Sequence, residues 1–368
     1  MKYSTDDISD RSSGETARGN LAGNIVWKTL LPVVLGLGVA VWLFARDFQA
    51  EQLRGVTFGW RVVGFIALAW LCMAGRDLGL TWRFRMLTDR RLTWLQALRV
   101  NMLCEFTSCI TPTAVGGSTF SLLYLSLEGI KAGRATTLMM TTLLLDELFL
   151  VVCAPIAFII VPGSEIFGFG AKAFVVGIRT TFWIVYGLIC LWTLVLFTGI
   201  FIKPEVVRLL LSRLFRLPLL RRWSGRIDSL GDDMVTTGHE LRRKSAAWWL
   251  KAFGITVVSW LSRFLTVNAL FLAFAPMASQ AVVLMRQFVV WIVLMAVPTP
   301  GGSGVSEWLF TTYYGDLIPA GMALVIAMFW RVITYYIYLI IGACIIPGWL
   351  HTNYRRLRNK NHQKPDKE

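Results

Sequence analysis

Six stretches of this chain are each long and apolar enough to cross a bilayer, and that leaves few folds open. They run Ile25–Ala45, Val56–Gly75, Ala135–Val161, Thr181–Ile202, Ala247–Phe274 and Pro319–Ile346. A helix needs about 20 apolar residues to cross the hydrocarbon core. At that depth no water satisfies stray backbone groups, so only helices and closed barrels span. Of the 368 residues 55% are apolar and only 16% charged, against roughly a quarter charged in soluble domains. A soluble fold would expose the surplus as one adhesive patch. The expected fold class is an all-α polytopic membrane protein.

Two further apolar stretches are broken in the middle by Gly and Pro. The first runs Leu92–Ile110, then Thr111-Pro112-Thr113-Ala114-Val115-Gly116-Gly117-Ser118, then Thr119–Leu127. The second runs Ala281–Val297, then Pro298-Thr299-Pro300-Gly301-Gly302-Ser303-Gly304, then Val305–Thr312. In each, the second limb is too short to cross. Irregular backbone at membrane depth survives only where protein buries it or a cavity hydrates it. Both stretches therefore read as re-entrant helical hairpins, 92–128 and 281–312, with tips at the midplane.

Charge placement orients them. Arg76, Arg83, Arg85, Arg90, Arg91 and Arg99 precede the first hairpin. Eleven basic residues lie from Lys203 to Lys251 and six from Arg355 to Lys367, while Ala275–Gln280 and Thr312–Ile318 have none. If both hairpins re-enter, every basic block is cytoplasmic, as the positive-inside rule requires, and both termini lie inside. The order span, span, hairpin, span then repeats upside down. Each tip carries Thr-Pro with a glycine four residues after the proline, at Pro112/Gly116 and Pro300/Gly304. An inverted-topology repeat places a site at the midplane between its halves. The expected organisation is a polar cytoplasmic tail over 1–24, a first membrane half over 25–202, a basic amphipathic cytoplasmic segment over 203–246, a second membrane region over 247–346, and a basic cytoplasmic tail over 347–368.

The net charge of +15, from 37 Lys+Arg and 22 Asp+Glu, points to anionic lipid rather than nucleic acid, because no soluble domain is left to hold such a site. The Leu- and Arg-rich stretch Val206–Arg226 should lie on the cytoplasmic leaflet. The six cysteines sit in apolar segments without a CxxC pair and read as packed free thiols. The three histidines, His239, His351 and His362, lie in polar stretches, away from any span. Residues 1–24 are polar, unlike a cleavable signal peptide. No GxxxxGK[ST] loop and no Ser/His/Asp set is present. Gly55/Gly59 and Gly75/Gly79 match GxxxG but fall at expected span ends, where turns account for them.

The candidate site is built from the tips. Helix starts at Ser118 and Ser303 would each expose unpaired N–H groups and about half a positive charge. Glycines allow close backbone approach, and a serine N-cap satisfies one N–H when no ligand is bound. Two such ends meeting at the midplane form an anion cradle from Thr111, Pro112, Gly116, Gly117 and Ser118 with Pro300, Gly301, Gly302, Ser303 and Gly304. The plain alternative is that these residues only shape two packed hairpins. Glu105, Asp146, Glu147, Arg263, Arg286, Glu307 and Arg331 are ionisable residues within the apolar segments. Each costs about 2.5–3.5 kcal/mol at a helix centre on insertion scales, so they should face inward and pair. Arg331 and Glu307 are the expected pair beside the second tip, with Arg331 as phosphate ligand, since its fork binds two oxygens at once. Glu105 reads as a proton carrier or a partner of Arg263. Asp146, Glu147 and Arg286 read as functional charges or structural ion pairs. Adjacent helical residues such as Asp146 and Glu147 point about 100° apart, which disfavours shared metal ligation.

The tips also carry a resemblance. Ile110-Thr111-Pro112 through Gly116-Gly117, with Tyr124, Leu125 and Gly129, and above all Val297-Pro298-Thr299-Pro300-Gly301-Gly302-Ser303-Gly304-Val305-Ser306-Glu307 are similar to the lysylphosphatidylglycerol synthase transmembrane-region family. These flippase-like membrane proteins occur in bacteria and archaea. Trp330-Arg331, Tyr335-Tyr336 and Gly342 continue the match. The resemblance implies movement or binding of phospholipids or polyprenyl-linked precursors in a bacterial or archaeal plasma membrane. Some members have Gly-Glu and a downstream Arg at the first tip, where this chain has Gly116-Gly117 and Phe120, which leaves the lipid class open. Complete synthases add a soluble aminoacyl-transfer domain; here the chain ends about twenty residues past the last span, so that activity is not expected.

The leading expectation is a flippase-type lipid translocator that uses no cofactor and is not an enzyme. Its partners would be membrane lipids, with a lipid-modifying or glycosyltransferase enzyme as the candidate protein partner. The alternatives are a membrane-embedded enzyme acting on a lipid phosphate and a small-anion or ion transporter.

Overall fold

In a computed structural model the chain is described over residues 59–111, 116–168, 172–202, 224–297, 299, 302, 304–319, 322–346 and 349, and side chains are described there except at 116–119 and 224–232. The described residues form helices joined by short turns, without strands. The chain divides into two compact units, Phe48–Tyr338 and a second unit of Met1–Asp47 with Leu339–Glu368. Everything below concerns the first unit, apart from the helix end that runs into the second.

Five helices are long and apolar enough to span: α1 (Trp60–Leu87), α4 (Ala132–Ile160), α6 (Lys172–Phe197, extended by a π-helical turn Thr198–Ile202), α8 (Ala246–Phe274) and α11 (Met322–Arg331, continuing through a π-helical turn to Ile346). The expected span Ile25–Ala45 and the tails 1–24 and 347–368 lie outside the described residues, apart from Trp349. Apolar side chains point outward on these helices, among them Leu71, Ile159, Leu191 and Val258. That is the surface a helix offers to lipid, and the chain is a multi-pass membrane protein.

Each broken stretch becomes two short helices. α2 (Trp94–Ile110) and α3 (Gly116–Leu127) run antiparallel, with Gln96 and Arg99 at the start of α2 bonded to Glu128 just past α3. α2 opens on a capping box: Thr93 Oγ1 accepts from the Gln96 N–H, and Gln96 Oε1 accepts from the Thr93 N–H. α9 (Gln280–Leu294) and α10 (Val305–Tyr313) pair the same way, through Arg286 and Gln287 against Tyr313, Tyr314 and Asp316. Short α5 (Gly163–Phe167) packs on α9, and α7 (Ser224–Arg242) packs on α4. Residues 203–223, most of the expected leaflet-bound stretch, lie outside the described residues.

Two expectations change. The short limbs begin at Gly116 and Val305, so neither Ser118 nor Ser303 caps a helix; the N-cap of the second is Gly304, at φ 82°. Gly75 and Gly79 are not at a turn, because α1 continues twelve residues past Gly75. A Cβ on Gly79 would stand 2.2 Å from Ser259 Oγ, and one on Gly75 would stand 3.8 Å from Ser262 Oγ. The pair lets α1 and α8 approach closely along their lengths, the usual role of small residues between membrane helices. The charges at Arg76 and Asp77 had marked an end to the apolar run; they are tolerated mid-helix because both are paired.

Candidate functional site

A cavity of about 200 Å³ lies between these helices. α1 contributes Arg76, Leu80, Arg83 and Phe84, spaced four, three and one apart so that they share one face. α2 contributes Asn101, Cys104, Glu105, Ser108 and Cys109 in the same helical rhythm. Asp146 comes from α4, Ser259, Trp260 and Arg263 from α8, Trp291 and Leu294 from α9, and Trp330, Arg331, Thr334 and Tyr335 from α11. Val297, Thr299 and Gly302 of the second tip close one side. Beneath lies a stack of aromatic rings, with Phe149 5.6 Å from both Trp260 and Phe288 and Trp260 4.9 Å from Trp291.

Four guanidinium groups reach this cavity, and each is held differently. Arg83 makes a two-pronged contact with Asp146, Nη1 to Oδ1 at 2.5 Å and Nη2 to Oδ2 at 2.9 Å. Trp260 Nε1 also donates to Asp146 at 2.8 Å, and Thr256 Oγ1 accepts from Arg83 at 3.1 Å. Arg76 donates to Asp77 at 2.8 Å and to Glu105 at 2.5 Å, and Tyr338 donates its hydroxyl proton to Asp77 at 2.6 Å. Arg331 Nε stands 2.6 Å from Glu307 Oε1, an ion pair without hydrogen-bond alignment, and its guanidinium lies 3.8 Å over the Tyr335 ring. Arg263 is held most loosely. It is 3.7 Å from Glu105, whose other oxygen Arg76 already engages, and it stacks 4.5 Å from Trp291.

The second tip has a feature that the sequence concealed. Glu307 Oε2 accepts from the Gly304 N–H at 2.7 Å and from the Ser306 hydroxyl at 3.0 Å. The helix start that was expected to await an outside anion is capped by the chain's own carboxylate. That carboxylate in turn faces Arg331.

The expected site residues therefore separate. Glu105, Asp146, Arg263, Gly302 and Arg331 line one cavity, with Glu307 behind Arg331. Gly302 adopts φ 70° and Gly304 φ 82°, where glycine is at ease and other residues are strained. Thr111 ends α2 with its hydroxyl on the Thr107 carbonyl at 2.8 Å, outside the cavity lining. Pro112, Pro300, Gly301 and Ser303 lie outside the described residues; Gly116, Gly117 and Ser118 are placed by backbone alone, in the first turn of α3. Glu147 is buried away from the cavity lining, and Arg286 belongs to another cluster altogether.

Two cavity-lining residues were assigned wrongly to the basic block: Arg76 and Arg83 do not lie in a loop but are buried in α1, with side chains 7% and 3% exposed. A signal was present in their seven-residue spacing, with Leu78, Gly79 and Leu80 between them. Asp77, Tyr338 and Trp260 carried no such mark.

Comparisons with known proteins agree with a membrane protein. Residues 29–342 match the family described as the lysylphosphatidylglycerol synthase TM region. A UPF0104 membrane protein of Archaeoglobus fulgidus is 24% identical over 277 residues, which cover 73% of this chain and 79% of that one.

Proposed function

The chain belongs to the lysylphosphatidylglycerol synthase TM-region family, and from that premise we propose that it is a flippase-type translocator of an anionic phospholipid or polyprenyl phosphate. The lipid phosphate binds in the central cavity between Arg263 and Arg331, and the cavity opens alternately to the two sides. The hairpins α2–α3 and α9–α10 re-enter the membrane from opposite faces, with both termini cytoplasmic and the protein in a bacterial or archaeal plasma membrane.

The observation that carries this reading is the loose hold on Arg263. Arg83 and Arg76 have short contacts to carboxylates, while Arg263 keeps only a long one and an aromatic ring. A phosphate entering the cavity meets that guanidinium without first breaking a strong pair. Arg331 has a different role: Glu307 neutralises it in the empty state, and phosphate takes the place of Glu307. Glu307 stays satisfied meanwhile by the Gly304 N–H and Ser306. Fork-shaped arginines suit this exchange because each offers two parallel donors to phosphate oxygens.

Proteoliposomes with a fluorescent phosphatidylglycerol and an external quencher test it. Arg263→Ala and Arg331→Ala should each lower translocation at least tenfold while protein insertion is kept. Unchanged lipid movement with lost uptake of inorganic phosphate would turn the reading toward a small-anion transporter, which the cavity volume would also fit. For topology, Lys131→Cys should label from the cytoplasm and Met277→Cys, in the exposed turn before α9, from outside. Labelling of both from one side would remove the inverted repeat.

A further inference from the structure

A second cleft, of about 610 Å³, lies where α1 turns into α2 beside the start of α8. It shares no lining residue with the central cavity. Three indoles line it, Trp82, Trp94 and Trp248, together with three cations, Arg85, Arg90 and Lys251. The turn that gathers them is tight: Asp89 and Arg90 take left-handed backbone angles, φ 51° and 60°.

The charge in this cleft is unbalanced. Among the described residues its one carboxylate is Asp89, held at 2.7 Å by both Arg134 and Lys244 and making no ion pair with any of the three cations. Arg85 sits 4.8 Å over Trp94 and Lys251 5.2 Å over Trp82. The buried Nε of Arg85 makes no hydrogen bond among the described residues. A buried donor left over beside two further cations calls for an acceptor that the described residues do not supply.

Apolar tracks lead to these cations. On α1, Leu71, Leu78, Trp82 and Arg85 fall within about 60° of one another around the helix, at 100° per residue; Leu71 and Leu78 are 67% and 62% exposed. On α8, Leu265, Val258 and Lys251 recur every seven residues, and both apolar members are exposed. α1 and α8 run antiparallel, since Gly79 meets Ser259 and Arg83 meets Thr256. Both tracks therefore end in a cation at the same end of the bundle. Indole rings prefer that depth, where an apolar body meets wet head groups.

We propose that this cleft binds one anionic phospholipid, its phosphate between Arg85 and Lys251 and its acyl chains along Leu78 and Val258. The tracks choose lipid over a free phosphate, which would have no use for them. The site requires the membrane placement of the protein but not the translocation mechanism.

Native mass spectrometry of the full chain, released from detergent with phosphatidylglycerol or phosphatidylcholine, tests it. Besides any lipid held in the central cavity, wild type should retain one phosphatidylglycerol that Arg85→Gln/Lys251→Gln binds at least tenfold more weakly, whereas Arg263→Ala should keep it. Loss in Arg263→Ala but not in the double variant would assign the lipid to the central cavity and overturn the proposal. Equal retention of phosphatidylcholine, or displacement by millimolar glycerol 3-phosphate, would overturn it too. A measurement on wild type alone guards against a double variant that does not fold. Phosphatidylglycerol with a photoreactive acyl chain should form adducts at the Leu78 and Val258 peptides. Adducts spread evenly over the lipid-facing helices would mean that no site exists there.

Discussion

Arg286 is a buried arginine and Arg263 a half-buried one in the same helical bundle, and their surroundings are opposite. Arg286 is enclosed: Nε and Nη2 both donate to the Glu165 carbonyl at 3.0 and 2.9 Å, Nη1 donates to the Tyr313 carbonyl at 2.8 Å, and Nη1 and Nη2 clasp Asp316 at 2.5 and 2.7 Å. Each of its nitrogens is engaged. It ties α5 to both limbs of the second hairpin. Arg263 faces a cavity, keeps a 3.7 Å contact to a carboxylate that Arg76 already claims, and rests on an indole face. A charge inside a membrane is costly in either place. Where the chain supplies every partner the charge is a clamp; where it withholds one, the charge is ready for a ligand.

The largest effect that follows concerns the clamp. Arg286→Ala leaves the Glu165 and Tyr313 carbonyls and the partly exposed Asp316 carboxylate without their donor, at about 1–3 kcal/mol for each buried polar group left unsatisfied. Detergent-solubilised protein should lose most of its monodisperse peak and melt well below wild type. Arg263→Ala should melt within a few degrees of wild type yet lose lipid translocation. If the two variants exchanged phenotypes, the contrast between clamp and ligand site would be broken.

Next in size is the frame of the open site. Gly79→Ala drives a Cβ into Ser259 Oγ, which donates to the Ile255 carbonyl at 2.7 Å. Overpacking of this kind costs about 1–3 kcal/mol. It should separate α1 from α8 and move Arg83 and Arg76 away from Arg263. Ser259→Ala removes the clashing oxygen and leaves a Cβ 3.4 Å away, so the double variant should recover both melting temperature and lipid binding. A single variant that melts lower but translocates normally would show that the cavity tolerates a wider frame.

Why some of this was legible and some not has one physical root. Apolar length announces itself locally, so α4, α8 and α10 start within three residues of where the sequence puts them. Pairing does not announce itself. Arg83 meets Asp146 across 63 positions and Tyr338 meets Asp77 across 261; nothing in the neighbourhood of either residue states that a partner exists. For that reason Arg76 and Asp77 read as the end of a span, and Gly75 and Gly79 as a turn. Arg331 and Glu307 were legible together because each is a single charge in an apolar segment beside a distinctive Pro-Gly tip. The Glu307 cap on Gly304 was hidden, because the sequence alone favoured Ser303 as the cap.

The smallest effect tests whether Glu307 is part of the clamp logic or of the ligand logic. In Glu307→Gln the amide oxygen can still accept from the Gly304 N–H, so α10 keeps its cap and the melting temperature should stay within a degree or two. What the variant loses is the negative charge facing Arg331. If Glu307 competes with the lipid phosphate for Arg331, affinity for phosphatidylglycerol should hold or rise up to a few-fold, while steady-state translocation falls because nothing displaces the bound phosphate. Arg331→Lys should show the reverse balance, with weaker binding because an ammonium cannot make the two-pronged contact, and faster release of what does bind. Lipid retention by native mass spectrometry, set beside translocation rates in proteoliposomes, reads both. A Glu307→Gln protein that is unstable but translocates normally when folded would place Glu307 with Asp316, as the fixed half of a structural pair, and leave Arg263 alone as the residue awaiting a ligand.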